Sequence, residues 1–159
     1  MMPQAQQMQE KCKSKLQKLS FMEGKWSGSG WAVNPDDRSR ETFSQEETIS
    51  YELQGTILHI RGKGHNEDGE AIHNALGIIY YDAKEDTYFM HSFLDTGQET
   101  KAHFEPTGDG YKWWFGDGNG GTIQYTATFE QGKWVEKGAY SRDGEQWYPF
   151  MEFQLTQAD

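Results

Sequence analysis

The sequence predicts an all-β protein, a single antiparallel up-and-down β-barrel of about ten strands with a short N-terminal helix. Three observations carry that prediction. From about residue 21 onward, apolar residues recur at every second position, the period of a strand with one buried face. Clusters rich in Gly, Asn and Asp interrupt this pattern at short intervals. No stretch between the clusters is long enough for a crossover helix, so strands adjacent in sequence pair antiparallel in space.

Residues 1–20 read as a helical lead-in packed on the barrel, and residues 21–159 as the barrel domain. Met8, Cys12, Leu16 and Leu19 form the one helical stripe of the chain. Lys11, Lys13, Lys15 and Lys18 surround it. The stripe suits a helix that closes one end of the barrel with its lysines in water. A basic helix touching a membrane or partner is the other reading, but four lysines make a small block. Strands are expected over 25–33, 41–53, 55–62, 70–81, 86–95, 98–105, 110–116, 121–130, 133–141 and 146–155. Asn66-Glu67-Asp68-Gly69, Gly108-Asp109-Gly110, Gln131-Gly132 and Arg142-Asp143-Gly144 are the clearest hairpin signals.

Alternation identifies the inner faces. Ile123, Tyr125, Ala127 and Phe129 share one parity. So do Gln98, Thr100, Ala102 and Phe104, then Tyr111, Trp113 and Phe115, and finally Trp147, Met151, Phe153 and Leu155. Ile57 and Leu58 compete for the interior, and Pro149 implies a bulge or an edge, because proline cannot donate to a ladder. Sheet closure removes the exposed edges, and ten strands enclose a wider lumen than the eight that side chains can fill. In the first strand, Trp26 is expected to plug the closed end, with Gly28 and Gly30 permitting tight coiling.

Composition excludes several classes of function. The net charge of −10 repels phosphate backbones, so nucleic acid is not an expected partner. No run reaches the roughly 18 apolar residues of a transmembrane segment. The single cysteine, Cys12, allows no intrachain disulfide and fits a reducing, cytoplasmic location. The first residues lack a signal-peptide core, although a signal removed earlier would leave no trace. Homo-oligomerisation is left open. Gly116 to Gly121 spells G-x-G-x-x-G but leads into a strand, so it lacks the helix N-terminus that binds phosphate. No metal-binding spacing and no nucleophile elbow occurs.

The residues singled out for ligand contact are Gln45, Glu47, His73, His91, Phe89, Trp113, Tyr125 and Trp147. Gln45 and Glu47 share parity with Phe43, Ile49 and Tyr51, which places a carboxylate on an apolar face. Such a group must be paired, protonated or wet, and it can orient a ligand or act as a base. The bland alternative places Glu47 at the barrel mouth, or turned outward by a bulge. His73 shares its face with Ala75, Gly77 and Ile79. Folding 70–81 onto 86–95 sets His91 roughly opposite Gly77, which makes a small-residue floor facing a histidine flanked by Phe89 and Phe93. A buried histidine satisfied by a neighbour is the competing reading.

Gly24-Lys25-Trp26-Ser27-Gly28-Ser29-Gly30 after a short helix resembles the opening of calycin-type, lipocalin-like barrels, including the nitrobindins. Asp68 to Gly77, Tyr81-Asp82, Tyr88 to Phe93 and Tyr140 to Gly144 extend the resemblance over about residues 20–156. It implies a barrel that holds a small molecule. The nitrobindin likeness further implies haem bound through a histidine near the C-terminal strands. This chain departs there, because no histidine follows His103, leaving His73 or His91 as the substitutes. The leading expectation is a binding protein for an apolar or amphipathic small molecule, with no cofactor and no metal. The alternatives are an enzyme using Glu47 with His73 or His91 as acid and base on a small carbonyl compound, and a haem or nitric-oxide binder.

Overall fold

The computed structural model describes residues 2–158. Helix α1 spans Pro3–Gln17 and a 3-10 turn follows at Ser20–Met22. Ten strands complete the chain: β1 (Gly24–Val33), β2 (Arg40–Glu52), β3 (Ile57–His65), β4 (Ala71–Asp82), β5 (Thr87–Leu94), β6 (Glu99–Pro106), β7 (Gly110–Gly116), β8 (Thr122–Glu130), β9 (Lys133–Ser141) and β10 (Tyr148–Gln157). Each pairs antiparallel with its neighbours in sequence, and β1 pairs with β10 to close the barrel. The expected fold class is the observed one.

The turns have a recurrent cause. An Asn or Asp side chain accepts hydrogen bonds from backbone N–H groups two to four residues on. Asn66 Oδ1 accepts from the N–H groups of Asp68 and Glu70. Asp117 does so from Asn119 and Gly121, and Asp143 from Glu145 and Gln146. Gln131 (φ 53°) and Gly132 (φ 76°) join β8 to β9 with positive φ at both positions, the backbone that a two-residue hairpin requires.

The seam between β1 and β10 depends on two glycines. A Cβ at Gly28 would lie 2.0 Å from the Gln154 carbonyl oxygen, and one at Gly30 would lie 2.3 Å from that of Glu152. Only a bare inner face on β1 lets β10 approach this closely. Pro149 sits at a bulge, since the β9–β10 register shifts between Pro149 and Met151. Leu58, not Ile57, is the residue buried at the start of β3.

The closed end is a packed plug. Trp26 is buried, donates from Nε1 to the Met22 carbonyl (3.0 Å), and meets Phe129 and Trp134 edge-on at 5.4 and 5.8 Å. Leu16, Leu19, Met22, Ile49 and Leu155 fill the space around it. The last carbonyls of a helix have no partner within it. Here the Tyr51 hydroxyl donates to Leu16 O (2.8 Å) and the Tyr88 hydroxyl to Lys15 O (2.9 Å), which ties α1 to β2 and β5. The expected stripe is therefore only half used: Leu16 and Leu19 are fully buried, Cys12 is partly buried, and Met8 is exposed. Among the described residues no helix is long and apolar enough to cross a membrane.

Trp26→Ala is expected to cost about 3–5 kcal/mol in urea denaturation, the range for truncating a buried aromatic. A loss below about 1 kcal/mol, typical of surface changes, would show that the plug does not depend on it.

Candidate functional site

Above the plug the barrel is hollow. The lumen has a volume of about 550 Å³ and runs from a polar floor to the end opposite α1. Its two walls differ. The β3–β5 side presents Gly62, Ala75, Gly77 and Ser92 between aliphatic Ile60, Met90 and Leu94, whereas the β7–β10 side presents Tyr111, Trp113, Phe115, Tyr125 and Phe150. Small residues on one wall leave unfilled the width that ten strands create. On the other wall Trp113 stacks on Tyr125 at 4.2 Å, and Phe150 meets Tyr125 edge-on at 5.6 Å.

Two carboxyl groups form the floor. Glu47 on β2 is buried beside Gly62 on β3. A Cβ at Gly62 would lie 2.5 Å from Glu47 Oε2, so the missing side chain is what makes room for the carboxyl. Gly64 does the same for Gln45, whose Nε2 donates to Glu47 Oε1 at 3.2 Å. Glu47 Oε2 is buried without a partner. Glu136 on β9 is also buried and accepts a hydrogen bond from the Tyr111 hydroxyl. Trp134 Nε1 lies near that carboxylate without forming a full hydrogen bond.

Burial dominates the electrostatics. It lifts Glu47 from 4.5 to about 8, helped by the Glu136 charge and opposed by Gln45 and Arg61. It lifts Glu136 to about 7, opposed by the donors around it, Tyr111 first. Tyr111 and Tyr125 are pushed up by burial and then by Glu136. His73, nearer the mouth, is pushed down by burial, which favours its neutral form, and the Asp95 charge opposes this with a smaller effect.

Of the residues expected at the site, Gln45, Glu47, His73, Trp113 and Tyr125 line this lumen. His91, Phe89 and Trp147 do not, and their expected placement is corrected. His91 stands opposite Ile78, while Gly77 faces Ser92. That single step of register turns the odd positions of β5 outward. His91 pairs with Glu99 on the outer surface and packs on Phe93 at 4.5 Å. Phe89 lies there too, beside His103 and under the Lys101 ammonium. Trp147 precedes β10 in the exposed loop from β9, since the strand begins at Tyr148. Glu136 is the residue that the sequence reading missed. Its signal was available: Trp134, Glu136 and Gly138 share one parity, the same carboxylate-on-an-apolar-face pattern that drew attention to Glu47.

The fold and lumen define a class, the closed ten-stranded antiparallel barrel with an interior cavity. The crystal structure of Rv2717c from M. tuberculosis is similar, with a TM-score of 0.67 over 91% of this chain and 97% of that one, at 13% identity. At that identity the likeness is one of fold. No family model matches the chain, and no curated protein matches it in sequence.

Haem ligation by the route expected from the nitrobindin resemblance does not fit these residues. Among the described residues the only histidine lining the lumen is His73, on β4, and β8 to β10 contribute none. Nor do the described residues include three His, Cys, Asp or Glu grouped to hold a metal ion. Hemin titrated into the protein is expected to give no saturable one-to-one Soret shift at low micromolar concentration. A shift that saturates and is lost in His73→Ala would overturn this.

The floor also predicts a pH dependence. Glu47 and Glu136 have values raised above 4.5 in the folded state, so the native protein binds more protons than the unfolded chain between about pH 4.5 and 8. Stability should fall as pH rises through that window, by a few kcal/mol. Asp37, Asp117 and Asp143, held low by turn hydrogen bonds, act in the opposite sense only in more acidic solution, and His73, pushed down by burial, offsets part of the fall below about pH 6.5. Thermal melts of Glu47→Gln should show a flatter pH profile than wild type and a higher melting temperature near the alkaline end of that window. An unchanged slope would mean that Glu47 does not carry the effect.

Proposed function

We propose that this chain is a calycin-type binding protein for an amphipathic small molecule. In this reading residues 1–20 close the barrel and residues 21–159 form the binding domain. The observation that carries it is the lumen itself: an aromatic wall for apolar contact, above a floor where Glu47 Oε2 is buried and unpartnered. Ligand sites commonly combine an apolar lining with a few polar groups that fix orientation. The Trp113–Tyr125 stack supplies a flat, rigid surface at low entropic cost. Gln45 and His73 add hydrogen-bonding groups at two depths. The resemblance to lipocalin-like barrels supports the same reading.

Acid–base catalysis is the second reading, and the raised values of Glu47 and Glu136 favour it. A carboxyl that titrates near neutrality can both give and take a proton. The partner for Glu47 in that reading is Glu136 or His73, since His91 lies on the outer surface.

Nile red, a neutral environment-sensitive dye, should bind with one-to-one stoichiometry and quench tryptophan emission. Burial of apolar area at roughly 25 cal/mol per Å², less ordering costs, is consistent with micromolar affinity. The double variant Gly77→Leu/Ser92→Phe, which narrows the lumen from its small-residue wall, should abolish binding while leaving the fold intact by circular dichroism. Undiminished binding in that variant would place the dye on the surface and remove the support for this function.

A further inference from the structure

The floor of the lumen is over-supplied with hydrogen-bond acceptors and has no positive charge. Glu47 and Glu136 approach it from β2 and β9. Among the described residues lining the lumen there is no Lys or Arg. The guanidinium that acts on Glu47, that of Arg61, is on the outer side of β3, where its Nη1 donates to the Ala75 carbonyl at 2.9 Å. His73 stands higher, toward the mouth.

The protein's own groups hold both carboxyls as acceptors. Gln45 Nε2 donates to Glu47 Oε1, and the Tyr111 hydroxyl donates to Glu136. That leaves Glu47 Oε2 buried against Gly62 without a partner, on a side chain that lines the cavity. In its carboxylate form the unpartnered buried oxygen costs free energy, and burial accordingly keeps Glu47 protonated up to about pH 8. A ligand that brings a hydrogen-bond donor removes that cost. A fatty acid would bring a third acidic group, and a purely apolar ligand would bring no donor. A cation brings donors and charge together, and the Tyr111, Trp113 and Tyr125 rings beside it can add cation–π attraction.

We infer that the floor formed by Glu47, Glu136, Gln45 and Tyr111 is a site for the ammonium head group of an amine, whose apolar body lies against the Trp113–Tyr125 wall. The assignment rests on the binding function proposed above and names its ligand class. The groups that set its protonation are Glu47 and Gln45 on β2, Tyr111 and Trp113 on β7, and Glu136 and Trp134 on β9, with Arg61 acting through the wall from β3; Tyr125 on β8 and His73 on β4 face the same lumen. In the empty protein burial keeps the carboxyls protonated at mildly acidic pH, so an arriving ammonium ion must displace a proton.

Three probes of equal chain length test this: decylamine, 1-decanol and decanoic acid, titrated calorimetrically. At about pH 8, decylammonium should bind at least about tenfold more tightly than decanol, the usual gain from a charge-assisted hydrogen bond, and decanoate most weakly. Glu47→Gln and Glu136→Gln should each remove most of the amine's advantage over decanol, the amine losing more affinity than the alcohol. Wild-type protein gives a second readout that needs no variant. At about pH 6, in two buffers of different ionisation enthalpy, amine binding should release about one proton per ligand and decanol binding none.

Decanol binding as tightly as decylammonium, or amine binding with no proton release, would overturn the amine assignment and leave the cavity's binding function standing. Failure of all three probes to bind would overturn both.

Discussion

Closure of the sheet at the β1–β10 seam is the constraint from which the rest of the molecule follows. Ten strands cannot form a barrel unless the first and last meet, and they meet because Gly28 and Gly30 leave no side chain between them. With the seam closed, every inner face turns toward one axis, and the edges that would otherwise invite aggregation disappear. The same strand number fixes the lumen's width. The chain fills the lower part with Trp26, Trp134, Leu16 and Leu19, and leaves the upper part open.

The interior is then specialised by glycine as much as by aromatic residues. Gly62 and Gly64 are positioned so that Glu47 and Gln45 of the neighbouring strand can lie across them. Elsewhere on the inner faces, buried groups are apolar or hydrogen-bonded. At the floor the chain retains a pair of carboxyls whose burial disfavours their charged forms. A buried, partly satisfied polar pair is an expensive feature in a protein whose core could have been hydrocarbon, and that cost makes the floor the most informative place in the molecule.

Most of the fold was legible because strand period and turn chemistry are local. The alternation of Ile123, Tyr125, Ala127 and Phe129 placed β8 correctly, and the Asp143 turn placed the β9–β10 link. The lining of the lumen was legible where parity sufficed, as for Gln45, Glu47 and His73. It failed where register decided the outcome. The link from Asp82 to Thr87 allows more than one pairing, and the alternative that set His91 against Gly77 inverts the whole of β5. Trp147 was misplaced for a related reason, because a bulge at Phe150 interrupts the parity that connects it to Met151. Glu136 was passed over although its parity was readable; the sequence cannot show that Tyr111 comes from another strand to meet it.

Each strand therefore lives in two surroundings, solid at the α1 end and hollow at the other. The lower halves are clamped by the plug and by the tyrosine hydroxyls that hold the helix carbonyls. The upper halves border the lumen and end in loops whose hydrogen bonds are mostly exposed. Local opening costs least where buried contacts are fewest, so amide exchange should be graded along the barrel axis, fast at the rim and slow at the base. Such a gradient lets the rim breathe while the closed end stays still.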